Sequence, residues 1–253
     1  MDNPHAKPDK EFIRRTFDSI SPRYDLLNQI LSFGSADQWR RKAANLLLEG
    51  GNGSGTILGK QNGARPTAIL DVGVGTGDFL KWFLKARSWE RSVGTDFSAE
   101  MLERAKEKLP PSVELFSADF HELPFEDSSF DLIVSAFTLR SVQHMPRFLS
   151  GLFRILKPGG RVGFLDLTRP RNRLHKLLFF PYLRIFLPVM GWLISGHQTA
   201  YQFLSQSVDR FQTPEETMRL MADAGFKDCH SKSFSFGAAT LIIGHKSALR
   251  NEP

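Results

Sequence analysis

Short apolar runs alternate with amphipathic stretches through the middle of the chain, between residues 67 and 168. The runs have the length and composition of buried strands: Ala68–Val72, Arg91–Thr95, Val113–Ser117, Leu132–Ala136 and Arg161–Leu167. Between them, helical spacing of apolar residues predicts helices at Asp78–Ala86, Ala99–Lys108 and Arg147–Leu156. Alternating strands and helices predict an α/β fold with a doubly wound, mostly parallel sheet.

The N-terminal part of the chain follows a different pattern. Residues 1–48 have helical spacing with a break at Ser21-Pro22, which predicts an N-terminal helical cap. Residues 49–66 contain six glycines and predict a flexible glycine-rich loop. We expect both to belong to one structural unit with the main domain, residues 67–253.

The C-terminal part adds an apolar segment and closing elements. A helical insertion is expected near 170–210, with its apolar segment at 174–205. A helix is predicted at Pro214–Ala224, followed by strands near Ser231–Phe236 and Ala239–His245. These two strands bring the predicted sheet to seven.

Composition limits the class of protein. With 253 residues, 41% hydrophobic and 24% charged, the chain is neither disordered nor fibrous. The single cysteine, Cys229, cannot form an internal disulfide and fits a reducing compartment. The polar start of the chain has no apolar signal core, so we expect a cytoplasmic protein.

The net charge of +6 is unevenly spread. Between Arg140 and Arg184 there are ten Lys or Arg and one acid, Asp166. Such a run suits an anionic partner, a lipid surface or nucleic acid, but equally a solvated basic face. Residues 177–194, which overlap the end of this run, are apolar, yet Arg184 and two prolines disfavour a spanning helix. We expect a segment that contacts the membrane peripherally or covers a pocket.

A glycine-rich turn follows the first predicted strand and carries the strongest chemical signal. A buried strand that runs into glycines and then a helix lets a ligand approach the backbone. No Lys-Ser/Thr completes a phosphate-binding loop, and Asp78 stands where a dinucleotide motif has its last glycine. Acids suit the ammonium and sulfonium of S-adenosylmethionine instead. The predicted cofactor-binding residues here are Asp71, Gly73, Gly75, Thr76, Gly77 and Asp78.

Two further acids follow the next two predicted strands. Asp96 is placed to accept hydrogen bonds from both ribose hydroxyls, and Asp119 lies where the adenine edge is expected. Each acid alone is also explained as a cap or a turn residue, but acids after three consecutive strands form one constellation. Phe97 and Phe120, which follow them directly, are included in the predicted cofactor site.

These motifs resemble a known class of enzyme. Residues 71–78, Asp96 and 119–125 resemble class I S-adenosylmethionine-dependent methyltransferases, as does the Leu156–Arg161 turn. Further motifs resemble the ubiquinone/menaquinone biosynthesis C-methyltransferase family over about residues 12–246. They are Phe17, Tyr24–Asn28, Ser32–Gly34, Trp39–Arg41, Leu139-Arg140, Ala200–Phe211, Ala224–Phe226 and Phe236-Gly237. The chain departs from the family at Ser141, usually asparagine, and at Ala136, usually serine; Ala136 is retained as a cofactor-site position.

The resemblance implies a Rossmann-like methyltransferase fold and C-methylation of a polyprenylated quinol precursor in respiratory quinone biosynthesis. The acceptor is demethylmenaquinol or its ubiquinone-pathway equivalent, and the reaction needs no metal. Arg140 is the candidate catalytic residue, which would stabilise the ring oxyanion. Tyr24, Asn28 and Tyr201 are candidates for the substrate pocket.

The expected partners and the alternatives remain open at this point. We expect a lipophilic quinol, a homodimer and peripheral contact with the inner face of the membrane. His121 and His144 are candidate bases, but neither is assigned that role. Alternative functions are methylation of another small phenolic, sterol or amine acceptor, or a cofactor-binding scaffold without catalysis. A nucleic-acid methyltransferase is disfavoured, since no catalytic tetrapeptide or RNA-binding module is found, and no nucleic-acid partner is expected.

Overall fold

The computed structural model describes residues 34–49, 67–167 and 213–248. The first part of the expected cap, most of the glycine-rich loop and the expected insertion lie outside the described residues. The described helices are α1 (Ser35–Glu49), α2 (Leu80–Ala86), α3 (Ala99–Lys108), α4 (Met145–Ile155) and α5 (Pro214–Asp223). The strands are β1 (Ala68–Val72), β2 (Arg91–Asp96), β3 (Glu114–Ser117), β4 (Phe130–Ala136), β5 (Leu156–Leu167), β6 (Lys227–Phe234) and β7 (Ala239–His245).

The strands form one seven-stranded sheet in the order β3-β2-β1-β4-β5-β7-β6. Every pair from β3 to β5 is parallel, and only β7 pairs antiparallel, with β5 on one side and β6 on the other. β1 and most of β4 are buried on both faces, which explains their continuous apolar runs. The strand order reverses between β1 and β4, and ligands bind at that point in sheets of this kind.

Helices cover both faces of the sheet. On one face, α4 and α5 pack against Leu70 and Val72 of β1 in a shared apolar cluster. On the other face, α1, α2 and α3 pack around Ile69 and Val134. The predicted doubly wound, mostly parallel α/β sheet is therefore confirmed.

Several element boundaries differ from the sequence-based expectation, and three of the differences have a local cause. α4 begins at Met145, two residues early, because Pro146 is favourable in the first turn of a helix. β5 begins at Leu156 and includes the expected turn, where the pairing with β4 shifts register. β6 ends at Phe234 because Ser235 has a φ of 45° and opens a short 3-10 turn.

Helix α1 is fixed to the sheet near the candidate site. Leu47 lies against Gly163 of β5, where an added Cβ would come within 2.5 Å of its side chain. The buried Arg161 donates a hydrogen bond to the Leu47 carbonyl, and Trp39 donates to Ser235 Oγ at 2.8 Å. These contacts set the position of Arg40 in the same helix.

The described half of the basic run does not form a free basic face. Four of its cations pair with acids: Arg140 with Asp166, Arg147 with Glu122, Arg154 with Asp127, and Lys157 with Asp131. Arg161, the fifth, is 2% exposed. Among the described helices, none has the length and apolar character that crossing a membrane requires.

Candidate active site

A cleft opens at the carboxyl ends of β1, β2 and β4, next to the reversal in strand order. Its empty space is about 370 Å³, part of which is open solvent. Its described lining is Gly73, Gly75, Asp96, Phe97, Met101, Phe120, Ala136, Phe137, Thr138 and Ser141. Six of these were predicted as cofactor-binding residues, and the structure brings them together.

The glycine-rich turn is shaped by left-handed backbone at two positions in the cleft. Gly73 has a φ of 73°, and an added Cβ would lie 2.6 Å from Thr138 Oγ1. Gly75 has a φ of 54°, but nothing lies within 4 Å of its Cβ position. The amides of Gly73 and Val74 donate to the Thr95 carbonyl, which ties the turn to β2. A ligand can therefore approach the backbone at Gly75 without meeting a side chain.

Asp96 lies in the cleft with its carboxylate held in place. Its Oδ2 accepts the Gly75 amide at 2.9 Å, and its Oδ1 accepts the Ser98 amide at 3.0 Å. Ser98 in turn caps α3 through the Met101 amide. A carboxylate oxygen accepts more than one hydrogen bond, so this rigid group is suited to bind neighbouring hydroxyls.

The loop after β3 contributes an apolar wall to the cleft. The Phe97 and Phe120 rings meet edge to face, with centroids 5.6 Å apart, and both line the cleft. Asp119, directly before Phe120, accepts the His121 amide at 2.8 Å through Oδ1. Aromatic walls beside an acid suit a flat heterocycle that carries hydrogen-bond donors.

Asp71 is buried beneath the turn and is not in the described lining. Neither of its oxygens makes a hydrogen bond of good geometry with a described residue. Burial raises the pKa of Asp71 to about 8; the charge of Asp96 adds to this, while the nearby Leu80 amide and Arg40 oppose it. A buried carboxylate with so few partners has a strongly perturbed pKa, as is frequent at functional sites.

Thr76 and Asp78 lie in the second half of the turn, also outside the described lining. Lys108 at the end of α3 donates to Thr76 Oγ1 at 3.0 Å and to Asp78 Oδ1 at 3.1 Å. Arg40 approaches Asp78 Oδ2 at 3.6 Å, and its guanidinium lies over the Phe137 ring. These contacts hold the turn in place on the side away from the cleft. A direct role of Thr76 and Asp78 in cofactor binding stays a prediction. Gly77 packs against Leu109.

Arg140 lies beside the cleft, in a 3-10 turn that runs from Leu139 to Ser141 after β4. Its side chain is 9% exposed, and Nη1 is 3.5 Å from Oδ1 of Asp166, at the end of β5. Its Nε and Nη1 atoms are buried without a hydrogen-bond partner among the described residues. The site therefore holds a fixed cation with unused donors.

His121, one of the two candidate bases, has both ring nitrogens engaged by other residues. Nδ1 of His121 is 2.8 Å from Asp119 Oδ1, and Nε2 accepts the His144 amide at 3.2 Å. Both ring nitrogens of His121 are thus engaged, with the Nδ1–H tautomer following from these partners. His121 connects the loop after β3 with the loop after β4, which is a structural role.

Sequence reasoning missed three residues that line the cleft and the residue that forms an ion pair with Arg140. Phe137 and Thr138 directly follow β4, so the rule that identified the other strand ends applies to them as well. Met101 enters the cleft from the first turn of α3, and no sequence signal marks it. Asp166 was noted only as the single acid of the basic run. The expected substrate-pocket residues Tyr24, Asn28 and Tyr201 lie outside the described residues.

Comparison with known proteins identifies the family. The sequence profile of the ubiE/COQ5 methyltransferase family matches residues 5–246. The chain belongs to this family. A ubiquinone/menaquinone biosynthesis C-methyltransferase from Geotalea daltonii is 38% identical, with 93% of this chain and 97% of the relative covered. A demethylmenaquinone methyltransferase from Thermus thermophilus is 36% identical, with 91% and 99% covered.

Solved structures support the fold. A methyltransferase from Thermotoga maritima, described as a possible histamine N-methyltransferase, superposes with a TM-score of 0.63 at 21% identity, covering 92% of this chain and 99% of its own. Human N-acetylserotonin methyltransferase in complex with S-adenosylmethionine gives 0.61 at 17%, covering 96% and 61%. The architecture is thus the Rossmann-like methyltransferase fold predicted from the sequence, and the chain is a methyltransferase of the ubiE/COQ5 family.

The cofactor of the family is S-adenosylmethionine, and the cleft fits it. The cleft has open space at Gly75, a carboxylate at Asp96 and an aromatic wall formed by Phe97 and Phe120. These features match a ribose and a flat base. The carboxyl groups of Asp96 and Asp71 suit a cation, because a positive charge bound near the turn favours the ionised form of the buried Asp71. The residues present are therefore compatible with a positively charged nucleoside cofactor.

Proposed function

We propose that this chain methylates a ring carbon of a polyprenylated quinol precursor, demethylmenaquinol or its benzoquinol counterpart. Its belonging to the ubiE/COQ5 family supports this, together with one observation in the site. The buried guanidinium of Arg140, beside the cofactor cleft, has donors that make no hydrogen bond with any described residue. A quinol hydroxylate adjacent to the reacting carbon is an anion of the kind that such a group stabilises.

Different residues of the chain bind the cofactor and stabilise charge on the acceptor. When bound, S-adenosylmethionine would supply a methyl group to an electron-rich ring carbon: the carbon–sulfur bond breaks with its electron pair going to S-adenosylhomocysteine, and the methylated ring carbon loses its proton to solvent. Asp96, Phe97 and Phe120 hold the nucleoside part and fix where the methyl group points. Arg140 stabilises negative charge on the ring oxygen, which makes the neighbouring carbon nucleophilic.

Membrane access is part of this proposal. A polyprenylated acceptor resides in the lipid phase, and the apolar residues 177–194 lie in a basic stretch of the sequence. We propose a cytoplasmic protein that contacts the inner face of the membrane peripherally through this segment. Binding to anionic and neutral vesicles is compared with and without 0.5 M salt. Salt weakens only the electrostatic contribution of the basic stretch, so the apolar contribution is measured separately.

A second acceptor class is supported by a specific observation. Ala136 and Ser141, the two positions that depart from the family pattern, both line the cleft. A small phenolic, sterol or amine acceptor is therefore the alternative substrate for the same chemistry.

The experiment uses S-adenosylmethionine with an isotopically labelled methyl group. Purified protein is incubated in detergent with reduced demethylmenaquinol, with its benzoquinol counterpart and with unprenylated phenols and amines. Mass spectrometry that finds the label on a quinol ring supports the proposal. Label on a phenol or amine only, with cofactor binding intact, favours the alternative and contradicts the quinol assignment.

A further inference from the structure

Asp166 and Arg140 form a buried ion pair between two neighbouring strand ends. Asp166 is the second-last residue of β5, and Arg140 follows β4, whose last residue Ala136 is paired with Leu165. The two side chains are 5% and 9% exposed, and Nη1 of Arg140 is 3.5 Å from Oδ1 of Asp166. The pair therefore joins β5 to the turn that borders the cleft at Ser141.

Asp166 also holds the backbone next to Arg140. Its Oδ2 accepts the Leu139 amide at 2.9 Å, and its Oδ1 accepts the Leu167 amide at 2.8 Å. The same carboxylate thus contacts the residue before Arg140 and the Arg140 guanidinium. Two contacts from one rigid strand restrict both the backbone and the side-chain direction of Arg140.

The ion pair does not satisfy the hydrogen-bond donors of Arg140. The 3.5 Å approach is electrostatic, and Nε and Nη1 make no hydrogen bond with a described residue. We propose that Asp166 is a positioning residue: it neutralises and orients Arg140 through an ion pair, without a hydrogen bond to Nε or Nη1. This inference rests on the proposed function, since it deepens the role given there to Arg140.

Other properties of the pair agree with this role. Burial raises the pKa of Asp166, while Arg140 and the two backbone amides oppose the rise. Removing the guanidinium would leave a buried carboxylate without its cation, so the two residues depend on each other. Phe137, at the start of the same loop, also binds β5, through its amide and the Leu165 carbonyl at 2.7 Å.

A double-mutant cycle on methyl transfer tests the proposal. We expect Asp166→Asn to lower kcat by about tenfold or more, with the KM for S-adenosylmethionine within about twofold. In an Arg140→Ala background, the same change should lower kcat no further. Equal losses in both backgrounds would show that Asp166 acts on the fold alone, and would overturn the proposal.

Asp131→Asn is the matched control. Asp131 likewise accepts two backbone amides and pairs with a cation, Lys157, but at the opposite end of β4. It should alter the melting temperature and leave kcat unchanged. If Asp166→Asn does not fold, Asp166→Glu retains the charge and displaces it by one methylene. A kcat equal to wild type for Asp166→Glu would then contradict the proposal.

A readout without activity separates this proposal from the proposed function. The ¹⁵Nε–H signal of Arg140, assigned by its absence in Arg140→Lys, reports side-chain order through its heteronuclear NOE. We expect a rigid signal in the wild type and in Asp131→Asn, and a mobile one in Asp166→Asn. An Nε–H that stays equally rigid in Asp166→Asn overturns the positioning role, whether or not any quinol is methylated. An inactive wild type with the expected NOE pattern contradicts only the proposed function.

Discussion

Aspartates at the two ends of the parallel strands have pKa values shifted in opposite directions. At the amino edge, Asp131 accepts hydrogen bonds from the backbone of Thr67 and Ala68 and from Lys157. Burial alone would raise its pKa, but these partners lower it overall. At the carboxyl edge, the pKa of Asp71 is raised to about 8 because it is buried with few partners.

Buried polar groups are more fully paired at the amino edge of the sheet than at the carboxyl edge. At the amino edge, Lys246 also has two acceptors, the carbonyls of Phe153 and Leu156 at 2.8 Å each. At the carboxyl edge, Asp71 and Arg140 have buried atoms with no hydrogen-bond partner in the part of the chain that the structure describes, which destabilises a fold unless a ligand compensates. Arg161 at the amino edge is also buried; it donates to the Leu47 carbonyl, and burial lowers its pKa to about 10.

The largest expected effect is on cofactor binding. Asp96→Ala should raise the Kd for S-adenosylmethionine by about a thousandfold, since two charge-assisted hydrogen bonds of about 1.5–3 kcal/mol each are lost. Asp127→Ala, which removes an exposed carboxylate, is the control and should bind normally. Calorimetric titration measures both, and unchanged affinity for Asp96→Ala would refute the ribose assignment.

The next effect is on turnover. Arg140→Ala should keep cofactor affinity and lose about 10²–10³-fold in kcat, as expected when a group that stabilises an oxyanion is removed. Arg147→Ala removes an arginine that is 61% exposed and paired with Glu122, and should not change kcat. Steady-state methyl transfer distinguishes the two. A wild-type kcat for Arg140→Ala means that the oxyanion is stabilised elsewhere.

These residues also show what a sequence reveals about such a site. Asp96 was predictable because it ends an apolar run, and parallel strands bring their carboxyl ends to one edge. The strand bounds of β1 and β7 were matched for a related reason, since buried strands are continuously apolar. Site residues at strand ends are thus accessible from the pattern alone.

Contacts made across the fold were not predictable in the same way. Asp166 lies 26 residues after Arg140, and only the pairing of β4 with β5 brings them together. Arg40 reaches Asp78 because α1 packs on the sheet, which depends on the contact between Leu47 and Gly163. Such pairings follow from tertiary packing and leave no local signal.

Asp131→Asn tests the amino edge. It should lower the free energy of unfolding by about 1–3 kcal/mol at pH 7, because a half-buried acceptor and its ion pair are weakened. Because the pKa of Asp131 is lowered on folding, its contribution exists above pH ~4 and disappears as the pH falls through the folded-state pKa. Urea denaturation at pH 7 and pH 3 should therefore show a larger difference from wild type at pH 7.

Asp71 should give the opposite pH dependence. Its raised pKa means that the folded state retains a proton that the unfolded state releases, so stability falls as the pH rises from about 4 to about 8. Asp71→Asn should remove this fall, which corresponds to several kcal/mol because the pKa rises from 3.8 to about 8. Denaturation curves across this range measure it, and an unchanged fall in the variant would assign it to another group.

The smallest effect concerns His245, at the amino edge. Burial lowers its pKa to about 4, with smaller contributions from Arg161 and His230. The unfolded state takes up the proton first, so this stabilising contribution is lost as the pH falls from about 6.5 to 4. His245→Gln should flatten that loss by about 1 kcal/mol, reduced for the partial exposure of the ring. A pH profile as steep as that of the wild type would exclude His245 as its source.

The most direct test of the central claim is a crystal structure with S-adenosylhomocysteine. The account predicts both ribose hydroxyls within hydrogen-bond distance of Asp96, and the adenine against Phe97 and Phe120. We also expect the sulfur to face Ser141, next to which Arg140 lies. A nucleoside bound elsewhere, or one in the cleft with its ribose away from Asp96, would contradict the assignment of the carboxyl edge as the site of methyl transfer.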